Sequence, residues 1–211
     1  MNRVVIAAFV LMLATVTAAV LLPARERVLA VPQIANESAQ EGRPPTPLIL
    51  QEGDGDHPVH RAGPLAGLPF TIKLDGEFGH SQDSFVFTET LPRGQSIPFH
   101  KHHNAEEILI FEEGGAAVMV GDKRAEAGPH SLVFIPRDTW ISATKTSGQD
   151  LHLFAIFSHL GYERYMRSIS VKQGQPVTPL NPEELPKLRA LGHAEYWDTS
   201  KGPYPPGVAH P

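Results

Sequence analysis

Between Phe70 and Phe157, eight short runs rich in β-branched, aromatic and aliphatic residues follow one another, each closed by Gly, Pro, Asp or another turn former: Phe70–Leu74, Ser84–Glu89, Ile97–His102, Glu107–Phe111, Ala116–Val120, Leu132–Ile135, Trp140–Thr144 and Leu151–Phe157. Eight candidate strands in roughly 90 residues, with turn signals between them, predict an antiparallel sandwich or barrel. Ile108-Leu109-Ile110-Phe111 and Leu153-Phe154-Ala155-Ile156-Phe157 are apolar on both faces, the pattern of strands buried between two sheets.

The flanks differ. Val4–Leu22 is an unbroken run without charge, Gly or Pro, preceded by Arg3 and followed by Val28-Leu29-Ala30. Residues 1–30 therefore read as a secretory signal peptide, or else as an N-terminal membrane anchor, since 19 apolar residues can just span a bilayer. The expected location is exported, periplasmic or secreted, or anchored through residues 4–22. Residues 31–69 hold seven prolines and read as a linker or a surface arm, with His57 and His60 as solvated loop histidines. After the strands, Tyr162–Arg167 reads as a short helix. Asn181-Pro182-Glu183-Glu184 supplies an N-cap, a first-turn proline and early acids for a second helix running to about Leu191. Gly192 stops that helix, and Pro186 kinks it or delays its first turns. Residues 161–211 thus form a helical and irregular extension to a barrel over 70–160.

Composition narrows the chemistry. The net charge of −5 lacks the basic excess that a nucleic-acid binder needs to neutralise phosphates. The absence of cysteine excludes disulfides, thiolate zinc sites, iron–sulfur clusters and a cysteine nucleophile. No phosphate loop, nucleophile elbow or dinucleotide fingerprint is present.

One segment carries metal-binding residue types at strand spacing. In Gly94-Gln95-Ser96-Ile97-Pro98-Phe99-His100-Lys101-His102-His103-Asn104-Ala105-Glu106-Glu107, alternation points His100 and His102 to one face and His103 to the other. A turn at Asn104-Ala105 returns the chain and brings a glutamate, Glu106 or Glu107, to face the pair. Two neutral imidazoles and a carboxylate inside a barrel suit Fe, Mn, Zn, Ni or Cu.

This segment resembles the first motif of the cupin superfamily: G, five residues, H-x-H, three or four residues, E, six residues, G. Gly94, His100, His102, Glu107 and Gly114 fit it. The resemblance, to single-domain cupins of type 2, quercetin-dioxygenase-like, implies an all-β fold, a double-stranded β-helix or jelly-roll barrel, with Glu107 as the third ligand. It also implies a homodimer. The family's second motif is degraded. His130 and Asp138 stand for its glycines, Ile141 for its histidine and Lys145 for its asparagine, and only Pro136 and the apolar strand survive. Three readings of the site stay open. His100, His102 and Glu107 hold a metal by themselves; or His152, with His130 the weaker choice, supplies the missing ligand; or the site is metal-free and the histidines line a pocket. Phe99, Phe111 and Ile141 are candidates for the pocket wall. The function implied is metal-dependent dioxygenase, isomerase or lyase chemistry on a small organic substrate. The alternative is a metal-free module that binds or senses a small ligand.

Overall fold

The computed structural model describes residues 44–197 and Gly202. The expected signal or anchor segment, the start of the arm and most of the C-terminal tail lie outside the described residues. Among the described residues, no helix is long and apolar enough to cross a membrane.

In chain order the elements are β1 (Pro58–His60), β2 (Phe70–Leu74), β3 (Phe85–Leu91), β4 (Ser96–His102), β5 (Glu107–Glu113), β6 (Ala116–Val120), β7 (Lys123–Ala127), β8 (Leu132–Ile135), β9 (Ile141–Lys145), β10 (Leu151–Phe157), α1 (Tyr162–Ser168), β11 (Ser170–Lys172), α2 (Leu185–Leu191) and β12 (Ala194–Tyr196). They build two five-stranded antiparallel sheets, ordered β2-β3-β10-β5-β8 and β12-β4-β9-β6-β7, with β1 and β11 as a separate pair. This is the jelly-roll architecture expected from the strand pattern.

The inner face follows from alternation. Phe85, Phe87, Glu89 and Leu91 of β3, Leu151, Leu153, Ala155 and Phe157 of β10, and Glu107, Leu109 and Phe111 of β5 are all buried. Register brings them into rows: Phe85 opposes Phe157, which opposes Glu107. Phe85 and Phe157 stack with centroids 5.4 Å apart. Each such buried side chain is worth about 2–3 kcal/mol of transfer free energy. The doubly apolar runs are not covered on both sides as predicted. Ile108, Ile110, Phe154 and Ile156 lie half-buried on the outer face of their sheet, and Leu132 and Phe134 of β8 are exposed.

Four strands carry no apolar alternation that sequence reading could detect. β7 reads Lys-Arg-Ala-Glu-Ala with four exposed residues, a charged edge strand that resists pairing with other chains. The other three, β1, β11 and β12, are three residues long. β1 corrects the reading of His60, which is 2% exposed inside the domain rather than solvated.

Both helices form where predicted. Asn181 Oδ1 accepts from the Glu183 N–H at 3.1 Å and opens a 3₁₀ turn, Pro182–Glu184. With Pro186 in its first turn, the α-helix starts only at Leu185, so this proline delays the helix. Gly192 ends α2 and allows a close approach: a Cβ there would sit 2.4 Å from the Cβ of Tyr165 on α1. The chain then runs into β12, which joins the sheet edge beside β4.

Candidate metal centre

β4 and β5 deliver the predicted side chains to one place. His100 and His102 lie on the inner face of β4, 3% and 1% exposed, and Glu107 opens β5 at 5%. One ligand atom from each falls within 4.8 Å of the others, the only such group of three among the described residues. His103 points outward as alternation requires, and its Nδ1 meets Asp138 Oδ1 at 2.6 Å near the surface. The turn between the strands is pinned by Asn104 Nδ2, which donates to the Leu160 carbonyl at 2.8 Å. Gly114, at the end of the first motif, has φ +75°, and a Cβ there would lie 2.4 Å from the Asp150 carbonyl oxygen. Only glycine fits that turn.

A β-bulge sets the first ligand. Ile97 pairs with Ala143 but His100 pairs with Ile141, so β4 carries one extra residue around Pro98. The freed Pro98 carbonyl accepts a hydrogen bond from His100 Nδ1 at 2.7 Å. A carbonyl cannot donate, so the proton sits on Nδ1 and Nε2 is an acceptor, taking a hydrogen bond from His102 Nε2 when no cation is bound. Bonds from a ring N–H to a carbonyl orient metal-ligating imidazoles. His100 Nε2 lies 3.0 Å from His102 Nε2, and His102 Nε2 lies 3.5 Å from Glu107 Oε2. Glu107 Oε2 and His102 Nδ1 are buried without a hydrogen-bond partner. The 3.5 Å contact is therefore electrostatic only. Two imidazole nitrogens and an orphaned carboxylate oxygen facing one another suit a divalent cation.

Burial, first, and the neighbouring His102 lower the His100 pKa from 6.5 to about 4. At neutral pH the ring is therefore uncharged, as a ligand must be. The sign of the stability effect follows. Above pH 6.5 the ring is neutral in both states. Between 6.5 and 4 the unfolded chain takes up a proton that the folded site refuses. The metal-free protein is thus expected to lose roughly 2–3 kcal/mol between pH 7 and pH 4.5 through this residue. Denaturant unfolding of wild type and His100→Gln at both pH values checks it: the loss is larger in wild type by that amount, and equal losses refute the assignment.

An aromatic wall surrounds the histidines. Tyr162 lies 4.3 Å from His102, edge to face, and Tyr196 stacks on His100 at 5.0 Å. The second contact follows from register, since β12 places Tyr196 opposite His100. The two phenol oxygens are 2.6 Å apart. Burial, first, and in each case an adjacent phenol push both pKa values well above the ordinary range, so the hydroxyls stay protonated.

A cavity of about 180 Å³ opens onto His100 and Glu107. Apolar side chains including Leu65, Phe87, Leu109 and Met166 make up much of the wall, with Arg189 and Trp197 from the C-terminal extension. His60 and Glu89 also line it, with His60 Nε2 2.7 Å from Glu89 Oε1. None of the three residues expected on this wall is there. Phe99 has the opposite parity to His100 and stacks on Trp140 at 4.7 Å. Phe111 sits two residues past Leu109, in the packed core. Ile141 is fully buried opposite His100 in the register, in the core rather than on the cavity surface. His152 does not reach the site either: it is exposed on the outer face of β10, and its Nδ1 bonds Thr90 Oγ1 at 3.1 Å. His130 is an exposed turn residue.

Residues 87–157 match the family model of the cupin domain. The chain carries a cupin domain. No curated protein matches the sequence. Among solved structures, the cupin domain is similar to a Bacillus halodurans protein at 22% identity, covering 37% of this chain and 64% of that one, TM-score 0.36. It is also similar to a predicted oxalate decarboxylase of Thermotoga maritima at 19% identity, covering 54% and 100%, TM-score 0.47. A third is the Cnp3 cupin domain of Schizosaccharomyces pombe at 16% identity, covering 48% and 72%, TM-score 0.40. His130 and Asp138, which replace glycines of the cupin pattern, have φ of 64° and 58°. His and Asp are among the side chains that tolerate this region best.

Sequence reading missed Glu89, Tyr196, Arg189 and Trp197 and misplaced His60. Glu89 offered one usable signal, a charge at an inward position of β3. The others depend on β1, α2 and β12, where no local pattern points inward.

Proposed function

We propose that this cupin domain binds a divalent metal ion through His100, His102 and Glu107 and acts as a metal-dependent enzyme on a small organic molecule held in the adjoining cavity. The observation that carries the reading is the buried triangle of ligand atoms with Glu107 Oε2 left unpartnered. A bound divalent ion would supply Lewis-acid polarisation of a substrate oxygen or activation of dioxygen, the chemistry of dioxygenase, isomerase and lyase reactions. The chain supports that role in three ways. The Pro98 carbonyl fixes the tautomer of His100. Tyr162 and Tyr196 pack against the two histidines and hold their protons. The apolar wall leaves room for a substrate body while His100 and Glu107 face it.

Metal content by mass spectrometry tests the reading. Protein purified without a metal-binding tag and offered Fe, Mn, Zn, Ni and Cu is expected to take up about one ion per chain, and the His100→Ala/His102→Ala variant none. Metal in excess should also raise the melting temperature, because a ligand selective for the folded state at 1,000 times its Kd adds about 4 kcal/mol. Ile141 favours a second reading, a metal-free module for a small ligand, since an apolar side chain occupies the position of the pattern's missing histidine. Absence of stoichiometric uptake of any of the five metals would select it.

A further inference from the structure

The metal-based reading leaves two donors on the cavity wall unused. Arg189 comes from α2 with its guanidinium carbon 4.4 Å over the Tyr196 ring. None of the ion pairs among the described residues involves it. Its Nε is buried with no acceptor, and so is Nε1 of Trp197, six residues beyond the end of α2. Both residues line the same cavity as His100 and Glu107. The other charges there are accounted for: Glu89 faces His60, and Glu107 is taken up by the metal in the metal-based reading. A guanidinium is always charged and can only donate, and an indole N–H can only donate. Buried donors without acceptors cost free energy and call for an explanation. An anionic acceptor entering the cavity would satisfy both.

We propose that Arg189 and Trp197 form the carboxylate-recognition end of the cavity, so that the substrate class is a small organic acid with an apolar body. The guanidinium fork matches a carboxylate, and charge-assisted bonds of this kind are the strong ones. The body of the acid packs against Leu65, Phe87, Leu109 and Met166. At about 180 Å³ the cavity has room for a small acid with a short chain or a single ring. The charge balance agrees. With a divalent ion on Glu107 and the His60–Glu89 pair closed, the cavity carries excess positive charge that only an anion offsets. This inference rests on the metal-dependent reading for its catalytic meaning, while the binding step depends on Arg189 and Trp197.

The test titrates the metal-treated full chain with sodium hexanoate and with hexanamide, its uncharged isostere, by calorimetry, with metal content measured on every sample. Saturable hexanoate binding is expected, with hexanamide at least about 10-fold weaker. Arg189→Gln should weaken hexanoate at least about 10-fold, Arg189→Lys by a smaller factor and Trp197→Phe several-fold, all with unchanged metal content. Hexanoate failing to bind wild type, binding Arg189→Gln as tightly as wild type, or binding no better than hexanamide would each overturn the proposal. The last comparison needs no variant and stands even if a substitution prevents folding. Hexanoate binding that depends on Arg189 in samples holding no metal would sustain this proposal and overturn the metal reading. Stoichiometric metal with no selective hexanoate binding would do the reverse.

Discussion

Glu107→Gln is expected to weaken divalent-metal binding at least about 100-fold and, at the same time, to make the metal-free protein more stable by about 1–3 kcal/mol. The two effects have one cause. Glu107 sits on the inner face of β5, 5% exposed, with Oε2 buried and no hydrogen-bond donor. The nearest cationic candidate, His102 Nε2, stands 3.5 Å away without forming a hydrogen bond. Holding a carboxylate there without a cation is costly, and the neutral amide relieves that cost. With metal present the order reverses, because the amide brings no charge to the cation and the wild type gains the full binding free energy. Unfolding of both proteins, with chelator and with metal, reads the sign change. A variant less stable than wild type in chelator and equally stabilised by metal would show that Glu107 serves packing rather than metal.

Asp75→Ala is expected to cost about 3–5 kcal/mol, lowering the melting temperature by roughly 10 °C. Asp75 has no exposed surface. Its Oδ1 accepts from the N–H groups of Glu77 and Phe78, at 2.9 and 2.6 Å, and shapes the turn between β2 and β3. Its Oδ2 accepts from Arg167 Nε at 2.7 Å, and the Arg167 guanidinium also reaches Asp56 Oδ2 at 2.7 Å. Through Arg167, these two carboxylates tie that turn and the approach to β1 to helix α1. Burial works against the charge of Arg167, but its bonds to Asp56 and Asp75 raise its pKa. Removing Asp75 leaves two backbone donors and a half-buried guanidinium short of partners, and such truncations are among the most damaging. The same helix carries Tyr162 to His102, so the loss should reach the candidate metal centre. Asp75→Asn, which keeps the turn acceptor, should cost less than Asp75→Ala, and a loss below about 1 kcal/mol for alanine would refute the network's role.

How much could be read before folding differs residue by residue. The inward pointing of His100 and His102 and the outward pointing of His103 needed only the two-residue period of a strand. The N-cap at Asn181 and the stop at Gly192 were similarly local, because a side chain bonding its own backbone, or a helix lacking its next turn, involves near neighbours. Phe99 and Phe111 illustrate the limit. Both are buried, as their chemistry requires, yet whether a buried ring faces a cavity or a packed core depends on what the opposite strand places there. His152 shows it again: with apolar residues on both faces of β10, its parity was settled only by the register with β3 and β5.

The class of fold, the strand spans that carry the alternation, and the His100, His102 and Glu107 set are written in local runs, each of fewer than a dozen contiguous residues. The walls around that set came from the folded chain: His60 brought against Glu89, Tyr196 laid on His100, Arg189 and Trp197 joined to the same cavity. Those contacts link residues tens of positions apart through strands as short as three residues. Their placement is fixed by long-range pairing and packing, many small terms shared across the barrel, none of which leaves a mark on its own stretch of chain.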